Sequence, residues 1–271
     1  MVAHHSSSTA RNDSPYLTAS KGLTYRLGIL KDMNEKLPIA LHSQSEKEYS
    51  NWVKKLTNED EQTQTEVAQM ISRITGNRRH YSVRSSKAGV FVGELVLSSL
   101  QYQQMSEFIR KMSLVYLVSQ FEIFLQQMIS ITLQKIPGPI MEKSITLKQL
   151  TESKSIKEAK LQIIEKEVHD IRLTDPNEAD EYFSRKFRVQ LSALPRWSDF
   201  RERFYRRHAI IHRFGTPDQK YLAKTGRKRV RELDVSRNYL ATSIKLFSAT
   251  ARGIARQLER RFGSEWPQDY L

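Results

Sequence analysis

The chain has 271 residues, enough for one large domain or two small ones with a buried core. It carries 44 Lys and Arg against 30 Asp and Glu, a net charge of +14, with 39% hydrophobic residues and a mean hydropathy of −0.57. That is a polar but folding composition, not a disordered one. The absence of Cys excludes disulfides, thiolate chemistry, iron–sulfur clusters and Cys-based zinc sites, and 10 Gly with 8 Pro argue against turn-rich all-β or collagen-like architectures. No apolar run approaches the roughly 20 residues that span a bilayer, and the first residues lack the apolar core of a secretory signal. The expected compartment is the cytoplasm, with no membrane partner.

Residues 1–20 are Ser/Thr-rich and aperiodic and read as a disordered leader. Leu23, Leu27 and Leu30 predict a short helix ending before Pro38. Between residues 45 and 74, Trp52, Val53, Leu56, Val67, Met70, Ile71 and Ile74 form a narrow apolar stripe, predicting one or two helices. The basic stretch from Gly76 to Gly93 has no helical period and reads as a loop or small hairpin. From Leu95 to Ile136 there is no Gly or Pro, and an apolar face runs from Met105, Phe108 and Met112 through Tyr116 and Phe121 to Ile129. Pro137-Gly138-Pro139 stops this helix. Helical spacing resumes over residues 146–171, after Asp175-Pro176, from Trp197 to Ile211, and from Val235 to Phe262. No stretch alternates with period two. The expected fold is all-α: a disordered leader over 1–20, an N-terminal helical extension over 21–95, and a helical bundle domain over 96–271.

The charge is concentrated. Between Arg185 and Glu265 there are 21 Lys and Arg against 7 Asp and Glu, which is the whole excess of +14. Such a field attracts polyanions, nucleic acid first and acidic membranes second. An acidic partner protein is the alternative. The densest run holds Lys224, Arg227, Lys228, Arg229 and Arg231, an expected phosphate-gripping surface.

Trp197 to Tyr221 concentrates the chemistry. His208 and His212 bracket Ala209-Ile210-Ile211, and Arg203, Arg206, Arg207 and Arg213 surround them. An imidazole moves protons near neutral pH, and a guanidinium beside it holds a phosphate and its developing charge. These are the parts needed to cleave RNA with its own 2′-hydroxyl. At about 100° per residue, His208 and His212 lie about 40° apart on one helix face, whereas Arg207 and His212 lie about 140° apart. Arg207 can close that gap with its length, the helix can loosen before Gly215, or a second copy can complete the site. The histidine pair is also compatible with zinc, but position 209 is Ala and the flanking arginines repel a cation, so neither metal nor cofactor is expected. No phosphate-binding Gly loop, GxGxxG or Ser-His-Asp arrangement is present.

The string Arg-Arg-His-Ala-Ile-Ile-His-Arg-Phe-Gly, followed by Asp218 and Tyr221, resembles the signature of the HEPN superfamily: Arg, a polar residue, three further residues, His and a Gly turn. The helix over 112–129, with Glu122 in its middle, is similar to the family's leading core helix, and the resemblance covers roughly residues 100–262. It implies a helical bundle that dimerises around one cleft, and metal-independent endoribonuclease activity of a toxin or antiviral-defence kind, with an antitoxin or regulatory protein as a further partner. Under it, Arg207 and His212 are catalytic, with His208, Arg206 and Glu122 in support. Arg206 offers an alternative catalytic arginine. Arg203, Arg213 and the basic run would contact RNA, and Tyr221 and Asp218 would support the motif or contact RNA. The alternative function is a catalytically silent binding module for RNA or protein. Membrane association through an amphipathic helix over 235–262 is a third reading, less natural because that apolar face suits a core.

Overall fold

The computed structural model describes residues 14–75, 86–140, 144, 146, 151, 153–171, 173–228 and 231–263. Among these the fold is all-α, with eight α-helices and no strand: α1 (Pro15–Thr57), α2 (Glu61–Thr75), α3 (Lys87–Lys135), α4 (Ile156–Asp170), α5 (Pro176–Phe187), α6 (Trp197–Arg213), α7 (Gln219–Thr225) and α8 (Arg237–Phe262). The chain divides into two compact units. One comprises Met1–Lys31, Ser113–Asp234 and Asn238–Leu271, the other Asp32–Met112 and Val235–Arg237. The expected division into 21–95 and 96–271 differs from this because α1 and α3 each run through the boundary.

Two expectations near the N-terminus are corrected. The expected leader overruns α1: Ser14 accepts the Leu17 N–H, Pro15 occupies the first helical position and Tyr16 is buried, its hydroxyl donating to Thr132 3.1 Å away. Pro38 does not end the first helix but lies inside it. A proline there removes the N–H that would reach the carbonyl of residue 34 and sets its ring against that carbonyl, a local cost that the other turns of a 43-residue helix outweigh. Residues 1–13 lie outside the described residues.

In the unit of residues 32–112, Trp52, Val67, Ala88 and Val92 form a small core, and the Trp52 indole donates to the Phe91 carbonyl at 2.9 Å. The expected loop through Gly93 is helical from Lys87, because Ser86 caps α3 by accepting the Gly89 N–H; residues 76–85 lie outside the described residues.

The larger unit is organised around aromatic rings. Phe121 of α3, Phe200 and Phe204 of α6 and Phe247 of α8 pack ring against ring with centroids 4.8–6.4 Å apart, Phe121 meeting the other three edge to face. Leu240, Ile244, Ala251, Ile254 and Leu258 of α8 are buried with them, so the apolar face of residues 235–262 is core. On α3 the buried stripe in this unit runs through Leu114, Leu117, Phe121, Phe124 and Met128. Part of the expected face is therefore corrected: Met105, Phe108, Met112 and Tyr116 are exposed, Phe108 by 62%. Among the described residues α3 is also long and apolar enough to meet the length and composition of a membrane span, a longer apolar stretch than the sequence reading allowed. Of its apolar window 44% is buried inside the protein, and core helices of water-soluble proteins meet the same criterion.

Local caps set the frame of the motif. Asp175 caps α5 ahead of Pro176, and Asp218 caps α7 by accepting the Tyr221 N–H at 2.7 Å. Trp197 stacks on Phe200, 5.0 Å between centroids, and packs the start of α6. The helix stays α-helical to Arg213 and ends with Phe214 and Gly215 at φ 53° and 89°.

Candidate functional site

One side of α6 is an internal network. Glu202 is buried, and its Oε1 accepts Arg206 at 2.8 Å and the Tyr221 hydroxyl at 2.6 Å, while its Oε2 accepts the Tyr239 hydroxyl at 2.5 Å. Burial pushes the Glu202 carboxyl up, but Arg206 and the two hydroxyls outweigh it and hold it below the usual carboxylate range. Burial, helped by Glu202, pushes the Tyr221 phenol up to about 12. Arg206 also donates to the Asp234 carbonyl and lies over the Tyr239 ring, 4.1 Å from its centroid. Arg203 donates to Ser243 and to the Asp199 carbonyl.

These partners explain three departures from the sequence reading. Arg206 is 5% exposed and Arg203 7%, with guanidinium donors engaged inside the unit, so neither is presented to a phosphate in solvent. Tyr221 is likewise buried, its hydroxyl held by Glu202, so it supports the motif from beneath instead of contacting RNA. Each of the three ties α6 to α7 or α8.

The other side of α6 faces water. His208 and His212 are exposed with ring centroids 4.5 Å apart. Partial burial, then the neighbouring His212, holds the His208 imidazole below its ordinary value. Arg207 lies between the two sides. It is half-buried and reaches towards α3, where its Nη2 is 3.7 Å from Glu122 Oε2. The pair is imperfect: Arg207 Nε and Glu122 Oε1 are both buried without a hydrogen-bond partner. Burial pushes the Glu122 carboxyl up, and Arg207 only partly offsets that.

Arg207 and His208 line a pocket of about 350 Å³ with Arg213, Asp218, Lys220, Lys224, Tyr205, Asp175 and Glu178. His212 is not among the lining residues. Because α6 is regular to Arg213, the helix does not loosen to bring Arg207 and His212 together, and Arg207 spends its length in the direction of Glu122. Around the pocket, Arg213 pairs with Asp218 at 3.2 Å, and Lys224 pairs with Asp175 at 2.8 Å and lies over the Tyr205 ring. Of the basic run, Lys224 lies in the last turn of α7, and Arg227, Lys228 and Arg231 are exposed, while Arg229 lies outside the described residues. No group of three or more potential metal-ligating side chains occurs among the described residues.

The Glu202 network had a readable signal. Glu202 and Arg206 are four apart and so share one face of α6, and Arg203, three beyond the core residue Phe200, lies about 60° from it.

Fold and site together define an all-α protein that displays a histidine pair beside a half-buried arginine on the rim of a polar pocket. Compared with protein-family models, with curated proteins and with solved structures, the chain has no match.

Proposed function

We propose that the chain is a metal-independent endoribonuclease of the HEPN kind, acting as a homodimer on RNA. The observation that carries the reading is the exposed His208–His212 pair on the same turns of α6 that place Arg207 on the pocket rim. In the proposed reaction the RNA 2′-hydroxyl oxygen attacks the adjacent phosphorus and the bond to the 5′ oxygen breaks. The products are a 2′,3′-cyclic phosphate and a 5′-hydroxyl end. Neutral His212 takes the 2′-hydroxyl proton, and the matching imidazolium of a second copy gives a proton to the leaving 5′ oxygen. Arg207 neutralises the charge that builds on the phosphoryl oxygens. His208, whose surroundings favour its neutral form, orients the ring beside it. Arg207 and His212 diverge within one chain, which is the geometry of half a site and the reason a second copy belongs to the proposal. A toxin or defence role, with a restraining partner protein, rests on the resemblance alone.

The test is cleavage of a mixed RNA pool in EDTA, with product ends mapped. Wild type cuts and leaves cyclic phosphate ends, and His212→Ala does not. Equal cutting by both proteins would remove His212 from the chemistry.

A second reading has its own support. Arg207, Arg213 and Lys224 each already face a carboxylate, Glu122, Asp218 and Asp175 respectively, which lowers the pull of the pocket on phosphate. That favours a catalytically silent RNA- or protein-binding module. Its signature is salt-sensitive RNA binding by both wild type and His212→Ala, with no cleavage by either.

A further inference from the structure

The turn after the histidine pair holds a large apolar side chain that is not packed into the core. Phe214 is 89% exposed, yet its backbone sits in the left-handed region at φ 53° and ψ 27°. Gly or Asn adopts that conformation readily, whereas a bulky side chain is strained there. The described chain has two other non-glycine residues of this kind, Arg188 and Arg196, whose charged ends suit solvent. An exposed aromatic ring gains nothing comparable from water.

The turn itself is fixed. The Phe214 and Gly215 amides both donate to the Ala209 carbonyl, the Thr216 N–H donates to Arg213, and the Leu233 N–H donates to the Gly215 carbonyl at 2.9 Å. Phe214 therefore projects an apolar ring from a fixed backbone turn, two residues from His212 and next to Arg213, which lines the pocket. Strain kept at one position beside candidate chemistry points to use rather than packing.

We propose that Phe214 is a stacking platform for a base of single-stranded nucleic acid bound along the α6–α7 face. The proposal rests on the RNA reading above and deepens it by adding a base contact to the phosphate contacts. Charge selects this occupant: the ring projects from the chain's basic third, beside exposed Arg213 and two residues from exposed His212, and exposed Lys220, Arg227 and Lys228 follow it in the sequence. An aromatic plate among cations matches a polyanion that carries flat rings. Stacking accepts every base, so the expected contact improves affinity without reading sequence.

The test uses the full chain and a fluorescein-labelled single-stranded 2′-deoxy oligonucleotide, which lacks the attacking hydroxyl and is not cut. Its abasic counterpart has the same length and charge. Wild type binds the base-bearing strand roughly tenfold more tightly than the abasic one. Phe214→Gly and Phe214→Asn lose that preference, keep the salt dependence, and melt no lower than wild type because the backbone strain is relieved. Phe214→Trp keeps the preference. Equal preference in wild type and Phe214→Gly would overturn the proposal, as would failure of wild type to bind either strand. Loss of oligomeric mass in sedimentation by Phe214→Gly, with the base preference intact, would assign the ring to a second copy of the chain instead. Because the strand is not cleavable, these outcomes do not depend on whether the protein cuts RNA.

Discussion

The two sides of α6 put ionisable residues to opposite ends. Glu202, Arg203 and Arg206 face the core, where carboxylate, guanidinium and two tyrosine hydroxyls saturate one another. His208 and His212, a few residues further, face water with their rings 4.5 Å apart, and His208 also lines the pocket with Asp218 and Lys220. Arg207, between them, has a carboxylate at 3.7 Å and a buried Nε with no partner. A count of arginines and histidines treats all of these alike. Burial separates them: the inward set has no donor to offer a ligand, whereas the outward set is available at the cost of weaker pairing.

If that contrast holds, the largest effects come from breaking the inward set. Arg206→Ala removes the closest counter-charge of the buried Glu202, leaving two hydroxyls and Arg203, whose Nη1 is 3.5 Å from Glu202 Oε2, and is expected to lower stability by about 3 kcal/mol in urea denaturation. The sign of the pH effect follows from the depressed Glu202 carboxyl. Its stabilisation is complete above the unfolded carboxylate value, near pH 4, and is lost as pH falls through the lower folded value. Glu202→Gln therefore flattens the acid limb of the stability curve. On the outward side His212→Ala leaves stability within about 0.5 kcal/mol of wild type, since it removes no buried contact. Under the ribonuclease reading it lowers cleavage by about 100-fold or more in single-turnover assays.

Arg207 tests the boundary between the two sides. Arg207→Ala strips the half-buried Glu122 of its neighbouring positive charge and is expected to cost about 1–3 kcal/mol. Adding Glu122→Gln recovers most of that loss, because the neutral amide tolerates burial that the carboxylate resists. If the double variant is no more stable than the single, the ion pair is not what holds Arg207. The smallest effect is spectroscopic. His212→Ala removes a repulsion that depresses the His208 imidazole, so the His208 titration followed by NMR moves upward. An unmoved titration would mean that the two rings do not share one field.

Much of this was legible in residue spacing. The all-α fold follows from unbroken helical periods, and the exposed histidine pair from two residues four apart. What the sequence hid is context. Pro38 reads as a stop, but a long helix absorbs one missing N–H. The Ser14-Pro15 start of α1 is a helix signal that a Ser/Thr-rich neighbourhood obscured. Arg203 and Arg206 look like phosphate ligands by type and become structural only because Ser243, Glu202, the Asp234 carbonyl and the Tyr239 ring receive their guanidinium groups. Glu122 lies 85 positions from Arg207, so only the packing of α3 against α6 makes them neighbours. Phe214 shows no anomaly in sequence, because its strain exists only in the backbone of the turn.

The most direct test of the two-sided account measures melting temperature and RNA cleavage in EDTA together, on His212→Ala and Arg206→Ala. The account predicts that the effects separate: His212→Ala melts with wild type and does not cut, whereas Arg206→Ala melts markedly lower. It is contradicted if His212→Ala cuts like wild type, or if Arg206→Ala keeps the wild-type melting temperature and loses only cleavage.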